Sequence, residues 1–167
     1  MKQLVNQLTQ IINLIGDIEG ATETIDNAVI NLTNRYAKEA LSLRYYYPIF
    51  AQKMSVDSWG QYSSRYGEIY INKSYSHICK MMSSKRYDMI AELIDTILHE
   101  SRHAWQDEQG VDKSNYISSD EDFDKYMQQD TEVDAREWAA ENMGNAIDYI
   151  VEHLIDEIIK KDTECIH

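Results

Sequence analysis

Two histidines and a glutamate in the segment His99-Glu100-Ser101-Arg102-His103 have the types and the spacing that zinc chemistry requires. On a helix, residues i and i+4 lie on one face, so both imidazoles can bind a single zinc ion. The carboxylate beside the first histidine can reach a water on that zinc and act as its general base. This H-E-x-x-H pattern therefore favours peptide hydrolysis, with Glu100 as the base.

The residues before this pattern have the apolar spacing of an amphipathic helix. They are Met89, Ile90, Leu93, Ile94, Ile97 and Leu98. No proline or glycine interrupts residues 88 to 109, and Gly110 supplies a stop signal. The sequence therefore predicts a partly buried helix that presents the pattern. The alternative is a solvent-facing polar cluster stabilised by local pairs.

A third protein ligand is needed, because a catalytic zinc ion commonly takes three and keeps its fourth position for water. The added histidine of metzincins is excluded, since Gln106 and Gln109 stand where a glycine and a histidine are required. A second predicted helix begins just before Glu132 and places this carboxylate in its first turn. Glu132 is the favoured ligand and Asp134 its rival. Both acids could instead serve only to stabilise the helix N-terminus.

The segments HESRHAWQ (99–106) and TEVDAREWA (131–139) resemble the small gluzincin-type zincins of bacteria and their phages. The signature of that family reads H-E-x-R-H-x-x-Q and, about 25 to 35 residues later, E-x-D-A followed by an aromatic residue and alanine. The resemblance covers residues 59 to 145. It implies that one Zn²⁺ is bound by His99, His103 and Glu132, with Glu100 as the catalytic base.

The resemblance also implies an α+β, zincin-like fold that is mostly helical, with a small antiparallel sheet before the metal-binding helix. Residues 59–72 agree with this, because Ile69 and Ile71 alternate with polar neighbours after a turn-rich stretch. The edge strand of such a sheet can hold an extended peptide by backbone pairing. Which strand forms the edge stays open, and a purely structural hairpin is the alternative.

Three further polar residues are candidates for orienting the zinc ligands: Arg102, Gln106 and Asp134. A ligating imidazole usually donates its second N–H to a partner, and Asp134 is the better acceptor of that hydrogen bond. Arg102 could instead be a structural counter-charge for Asp134 or Glu137. A donor for the oxyanion would also help a zinc peptidase. The candidate hydroxyls are those of Tyr62, Tyr116 and Tyr126.

The segment between the two motifs, residues 107–130, is strongly acidic. The spacing of Asp120, Asp122 and Asp124 is similar to a calcium loop, but Lys125 stands where such a loop needs glycine. We therefore expect a solvated acidic loop beside the active site. Such a loop would favour basic or neutral substrates.

The composition, with 43% hydrophobic and 27% charged residues in 167, is that of one globular domain. We expect a single domain over 1–167, with a helical extension or support (1–50), a metallopeptidase core (59–145) and the end of a C-terminal helix (146–167). The net charge of −13 argues against nucleic acid and anionic membranes as partners. The start lacks a signal-peptide core, no stretch has the length of a membrane span, and Cys79 and Cys165 are too few for a disulfide framework. A cytoplasmic location is expected.

Two N-terminal helices are predicted before the sheet. Leu4, Leu8, Ile11, Ile12, Ile15 and Ile18 mark the first, which ends near Gly16 or Gly20. The second carries Ile25, Val29, Leu32 and Tyr36 and runs towards Pro48, which is predicted to end it. These helices either support the metal site or form an adaptor or dimerisation hairpin.

The functional prediction is a zinc metallopeptidase that acts on a peptide or protein substrate, an endopeptidase rather than an exopeptidase. One alternative is a catalytically silent zincin scaffold that serves as a protein-binding or regulatory module. The other is a zinc hydrolase that cleaves a non-protein amide. The oligomeric state stays open.

Overall fold

The computed structural model describes residues 6, 8–10, 12, 21–55, 58–73 and 83–164. Four helices and three strands follow in this order: α1 (Ala21–Leu41), β1 (Ile49–Gln52), β2 (Gly60–Ser63), β3 (Glu68–Asn72), α2 (Ser83–Glu108), α3 (Phe123–Gln128) and α4 (Asp130–Glu164). Residues 6, 8–10 and 12 are also helical. The fold is therefore α+β and mostly helical, with one small sheet.

Helix α2 carries the H-E-x-x-H pattern, as the apolar spacing predicts. Its inward face is fully buried at Ile90, Leu93, Ile94, Ile97 and Leu98. Each such side chain contributes about 1.5–3 kcal/mol by leaving water. Gly110, with φ +69°, ends the helix in the left-handed conformation that glycine adopts without strain. The predicted stop is confirmed.

The core lies between α1, α2 and α4. Helix α1 buries Ile25, Val29 and Leu32 in it, and α4 buries Ile147 and Ile150. Leu8 and Ile12 from the N-terminal residues lie in the same cluster. Helix α1 therefore supports the two helices that carry the candidate ligands.

The prediction that Pro48 ends the second helix is wrong, because α1 ends earlier, at Leu41. Ser42 takes the left-handed conformation, with φ 52°. Its N–H donates to the carbonyl of Glu39, and the N–H of Leu43 donates to that of Lys38 at 3.0 Å. These two hydrogen bonds satisfy carbonyls of the last turn and close the helix before the proline is reached.

The sheet has the strand order β1-β3-β2 and is mixed, so the prediction of a purely antiparallel sheet is wrong. The predicted hairpin is present, since β2 and β3 pair antiparallel with Tyr62 opposite Ile69. Strand β1 adds a parallel partner on the other side of β3, with Phe50 opposite Tyr70. The strand β3 is therefore central, and β2 is the edge strand of the hairpin.

The inner face of the sheet packs on the helical layer. Ile69 and Ile71 of β3 are buried there, as their alternation predicts. On the outer face, Phe50 and Tyr70 lie in tilted contact, with ring centroids 6.1 Å apart. Strands β2 and β3 both contact α2, so the hairpin lies directly beside the H-E-x-x-H pattern.

Several predicted positions lie outside the described residues. They are Leu4, Ile11, Ile15, Ile18, Gly16, Gly20, Cys79 and Cys165. Of the helices in the described part of the chain, none combines the length and the apolarity needed to cross a membrane.

Candidate metal centre

His99, His103 and Glu132 converge at one point between α2 and α4. The Nε2 atoms of the two histidines lie 3.0 Å apart. Glu132 brings Oε2 to 3.3 Å from the Nε2 atom of His99, and Oε1 to 3.3 Å from that of His103. The three ligand atoms lie within 4.8 Å of one another, close enough to hold one metal ion.

Each ligand owes its position to its helix. His99 and His103 stand one helical turn apart on α2, with their rings edge to face and 4.7 Å between centroids. Helix α4 begins at Asp130, which puts Glu132 in its first turn. Of the two rival acids, Glu132 therefore joins the histidines, as predicted.

The Glu132 carboxylate is buried, with 1% of the residue exposed, and its Oε2 atom has no hydrogen-bond partner among the described residues. A buried charged oxygen without a partner is costly, and a metal ion would satisfy it. Burial alone would raise the pKa of Glu132, but the close approach of the His103 and His99 imidazoles outweighs burial and holds the pKa far below its usual range. The carboxylate is thus ready to bind a cation.

The acidic side chains around His103 favour its protonated form. Burial would lower its pKa, but the hydrogen bond to Glu132 and the charge of Glu100 outweigh burial and raise the pKa above its usual value. Two imidazole nitrogens and one carboxylate oxygen form a donor set that zinc accepts.

Gln106 connects the metal centre to α4. Its Oε1 atom lies 2.9 Å from Nδ1 of His103, and its Nε2 donates to the carbonyl of Thr131 at 2.8 Å and to Oδ2 of Asp134 at 2.7 Å. The expectation that Asp134 directly accepts the imidazole N–H is wrong, because the longer Gln106 side chain lies between them. Gln106 instead accepts from Nδ1 and so favours the tautomer that presents Nε2 to the candidate metal position.

Arg102 acts as the counter-charge of Asp134. Its Nε and Nη2 atoms donate to the two carboxylate oxygens at 2.8 and 2.9 Å, a bidentate pair. The guanidinium also lies over the Trp105 ring, 3.8 Å from its centroid. The hydrogen bond from Arg102 lowers the pKa of Asp134. This pair ties α2 to α4 beside the candidate ligands.

Glu100 lies at the buried side of the centre and is 8% exposed. Burial is the main cause that raises its pKa above the ordinary value. Its Oε2 atom accepts a hydrogen bond from the backbone N–H of Tyr62 at 2.6 Å. Residue spacing alone did not reveal this backbone donor.

Two of the three tyrosine candidates reach the centre. The hydroxyl of Tyr116 donates to Oε1 of Glu132 at 2.9 Å, and the ring of Tyr126 packs against Tyr116 with its centroid 6.2 Å away. Burial, followed by the charge of Glu132, raises the pKa of both hydroxyls, so both remain donors at neutral pH. The Tyr62 hydroxyl instead donates to Asp107 at 3.0 Å.

The acidic segment is largely exposed, as expected, and several of its acids cap turns. Asp112 accepts from Ser114, Glu121 accepts from Ser118, and Asp122 caps the short helix α3. A cavity of about 330 Å³ opens beside Tyr116, lined by residues 112–116 and 128–131. The segment thus forms one wall next to the metal centre.

These observations define the class of the protein. It has a mostly helical α+β fold and a buried group, formed by His99, His103 and Glu132, that could hold a metal ion. Comparisons with protein-family models, curated proteins and solved structures found no match to this chain. The function is therefore argued from the geometry of the centre itself.

Proposed function

We propose that this protein is a zinc-dependent metallopeptidase of the gluzincin type, built on a zincin-like fold. The observation that carries the proposal is the buried Glu132 carboxylate. Its Oε2 atom has no hydrogen-bond partner in the described part of the chain, and each of its two oxygens lies 3.3 Å from one imidazole nitrogen. Such a group is costly unless a cation completes it.

Zinc is the metal that suits these donors best. Two imidazoles and one carboxylate are a common catalytic zinc set, and they leave a coordination position free for water. Zinc in such a site activates water and polarises a carbonyl group. The oxygen-rich sites preferred by calcium and magnesium differ from this one.

Glu100 is the general base of the proposed reaction. It follows the first ligand along α2, and burial raises its pKa, which improves its ability to hold a proton at neutral pH. The carboxylate would take a proton from the attacking water and pass it to the leaving amine. Gln106 assists by holding the His103 ring through Nδ1.

Tyr116 is the proposed donor to the oxyanion, with Tyr126 as its rival. The Tyr116 hydroxyl already lies 2.9 Å from a ligand oxygen of Glu132, so a small rotation would direct it at a carbonyl bound in the centre. A donor that lies in place before the reaction is worth far more than one recruited from water.

An extended peptide is the proposed substrate, cleaved at an internal bond. Strand β2 is the hairpin's edge strand and contacts α2, and its outward backbone groups other than the Tyr62 N–H, which Glu100 accepts, can pair with a peptide. The net charge of −13 and the acidic wall of residues 107–130 favour basic or neutral sequences.

The test begins with metal content. Native elemental analysis of the wild type should find about one zinc per chain, and Glu132→Ala should lose it. Glu100→Gln should keep the zinc and lose turnover on a mixture of unstructured peptides. No zinc in the wild type after reconstitution would favour a binding module on a silent scaffold. Full activity of Glu100→Gln would refute the mechanism, and zinc without peptide cleavage would favour a non-protein amide.

A further inference from the structure

The outward edge of β2 faces the proposed general base. Asn72 N–H donates to the carbonyl of Trp59, so alternation along the antiparallel pair directs Gln61 and Ser63 towards β3 as well. Gly60 and Tyr62 therefore point their backbone groups away from β3. The Tyr62 N–H donates a hydrogen bond to Oε2 of Glu100 at 2.6 Å.

The contact between β2 and α2 is so close that only glycine fits at position 60. A Cβ atom built on Gly60 would lie 2.5 Å from Cγ2 of Thr96, 3.1 Å from the carbonyl oxygen of Tyr70 and 3.2 Å from Cγ of Glu100. The methyl group of Thr96 cannot turn away freely, because its hydroxyl donates to the carbonyl of Glu92 at 2.7 Å. A side chain at position 60 would therefore push β2 away from α2.

We propose that Gly60 is a positioning residue for Glu100. It lets β2 approach α2 until the Tyr62 N–H binds the Glu100 carboxylate beside the metal centre. This inference rests on the proposed peptidase function, in which Glu100 is the base. The hydrogen bond is short and charge-assisted, so it fixes the carboxylate more firmly than a neutral contact would. It engages Oε2 and leaves Oε1 to take the proton from water.

The positioning matters because a base works only at the right distance from its proton. A misplacement of about 1 Å can cost on the order of 100-fold in rate. None of the three candidate ligands belongs to β2, so a shift of this strand would withdraw the Tyr62 N–H, release the Glu100 carboxylate and leave the metal site intact. This separates the role of Gly60 from that of the ligands.

The chain offers a matched set of variants. Gly60→Ala introduces the clash, and Thr96→Ser removes the methyl group that causes its worst contact while keeping the hydroxyl. Gly60→Ala combined with Thr96→Ser is the rescue. Gly144→Ala is the control, because a Cβ atom at this helical glycine meets nothing within 4 Å.

Four quantities are measured on each zinc-loaded variant: zinc content, amide exchange of Tyr62 by NMR, and kcat and KM on a mixture of unstructured peptides. Gly60→Ala should keep its zinc and lower kcat on the order of 100-fold with little change in KM. Its Tyr62 amide should exchange at least about tenfold faster, since a hydrogen bond to a charged group protects by that factor. The rescue should recover both, and the two single controls should match the wild type.

Unchanged Tyr62 exchange in Gly60→Ala, or unchanged kcat in active protein, would overturn the inference. So would a loss of kcat that Thr96→Ser does not relieve. If Gly60→Ala does not fold, Glu100→Ala decides, since it must expose the Tyr62 amide with Gly60 intact. A zinc-loaded wild type that cleaves no peptide would refute the proposed function. The exchange of the Tyr62 amide in Gly60→Ala, compared with the wild type, would then still test whether Gly60 positions Glu100.

Discussion

The Nδ1 atom of His103 lies 2.9 Å from the side-chain oxygen of Gln106, whose amide nitrogen in turn bonds Thr131 and Asp134 at the start of α4. One side chain thus connects the ligand on α2 with the helix that carries Glu132. The metal centre and the packing of α2 on α4 are therefore coupled, and a change in the glutamine should be felt by the metal.

Gln106→Ala should weaken zinc binding by about 10–100-fold, which is typical when a ligating histidine loses its hydrogen-bond partner. The measurement is competition with a chelator of known affinity. Gln109→Ala, which removes an exposed glutamine just beyond α2, is the matched control. Equal zinc affinity in wild type and Gln106→Ala would show that the contact is incidental.

Zinc affinity should fall as the pH is lowered, beginning above pH 6.5, the ordinary pKa of histidine. The pKa of His103 is raised, so a proton competes with the metal at higher pH than at a free imidazole. In the metal-free protein the raised pKa of His103 also stabilises the folded state. This stabilisation is fully present when the pH is below the pKa of His103 in the unfolded chain. It is lost as the pH rises through the pKa of His103 in the folded protein.

The comparison variant for this pH dependence is Glu132→Gln. This substitution removes the hydrogen bond and the charge by which Glu132 raises the pKa of His103. The variant should bind zinc more weakly, and its affinity should begin to fall at a lower pH than that of the wild type. Titrations between about pH 5.5 and pH 8.5 cover the range in which histidine changes charge. The same midpoint in both proteins would contradict the prediction.

Ser42→Gly should stabilise the protein by roughly 0.5–1 kcal/mol. A left-handed conformation costs a residue other than glycine about 1–2 kcal/mol, and glycine returns part of this through the entropy of the unfolded chain. Urea denaturation measures the difference. Gly67→Ser is the reverse control, because Gly67 has φ +63° and a Cβ atom there makes only ordinary contacts with Tyr47. It should destabilise by a similar amount, and no change in either variant would remove the strain argument.

The sequence was most informative where structure is local. Apolar spacing predicts α2, and the position of Glu132 in the first turn of α4 follows from the residues around it. The hairpin β2–β3 is likewise signalled by the alternation around Ile69 and Ile71. These elements depend on neighbours within a few residues along the chain, so their patterns can be read directly.

The features that the sequence did not predict depend on contacts between distant residues, or on contacts that leave no pattern in the sequence. Strand β1 has four residues and pairs with residues about twenty positions later, so it has no local pattern of its own. Gln106 and Asp134 are both polar and within reach of His103, and spacing could not decide between them. The Tyr62 N–H is a backbone group, and its only sequence signal is the glycine in β2, which marks a close backbone approach.

Tyr116→Phe should lower kcat by about 100–1,000-fold while zinc content stays unchanged, because the loss of one oxyanion donor typically has this effect. The hydroxyl donates to Oε1 of Glu132 but is not itself one of the three candidate ligands, so its removal leaves all three in place. Since the pKa of Tyr116 is raised, the wild-type rate should not decline through loss of this proton anywhere near neutral pH. Tyr45→Phe, at an exposed position far from Glu132 in the chain, is the control.

If Tyr116→Phe retains full kcat and Tyr126→Phe loses it, the donor is Tyr126. If both retain it, neither hydroxyl stabilises the oxyanion, and the Tyr116 contact serves only to hold the carboxylate of Glu132.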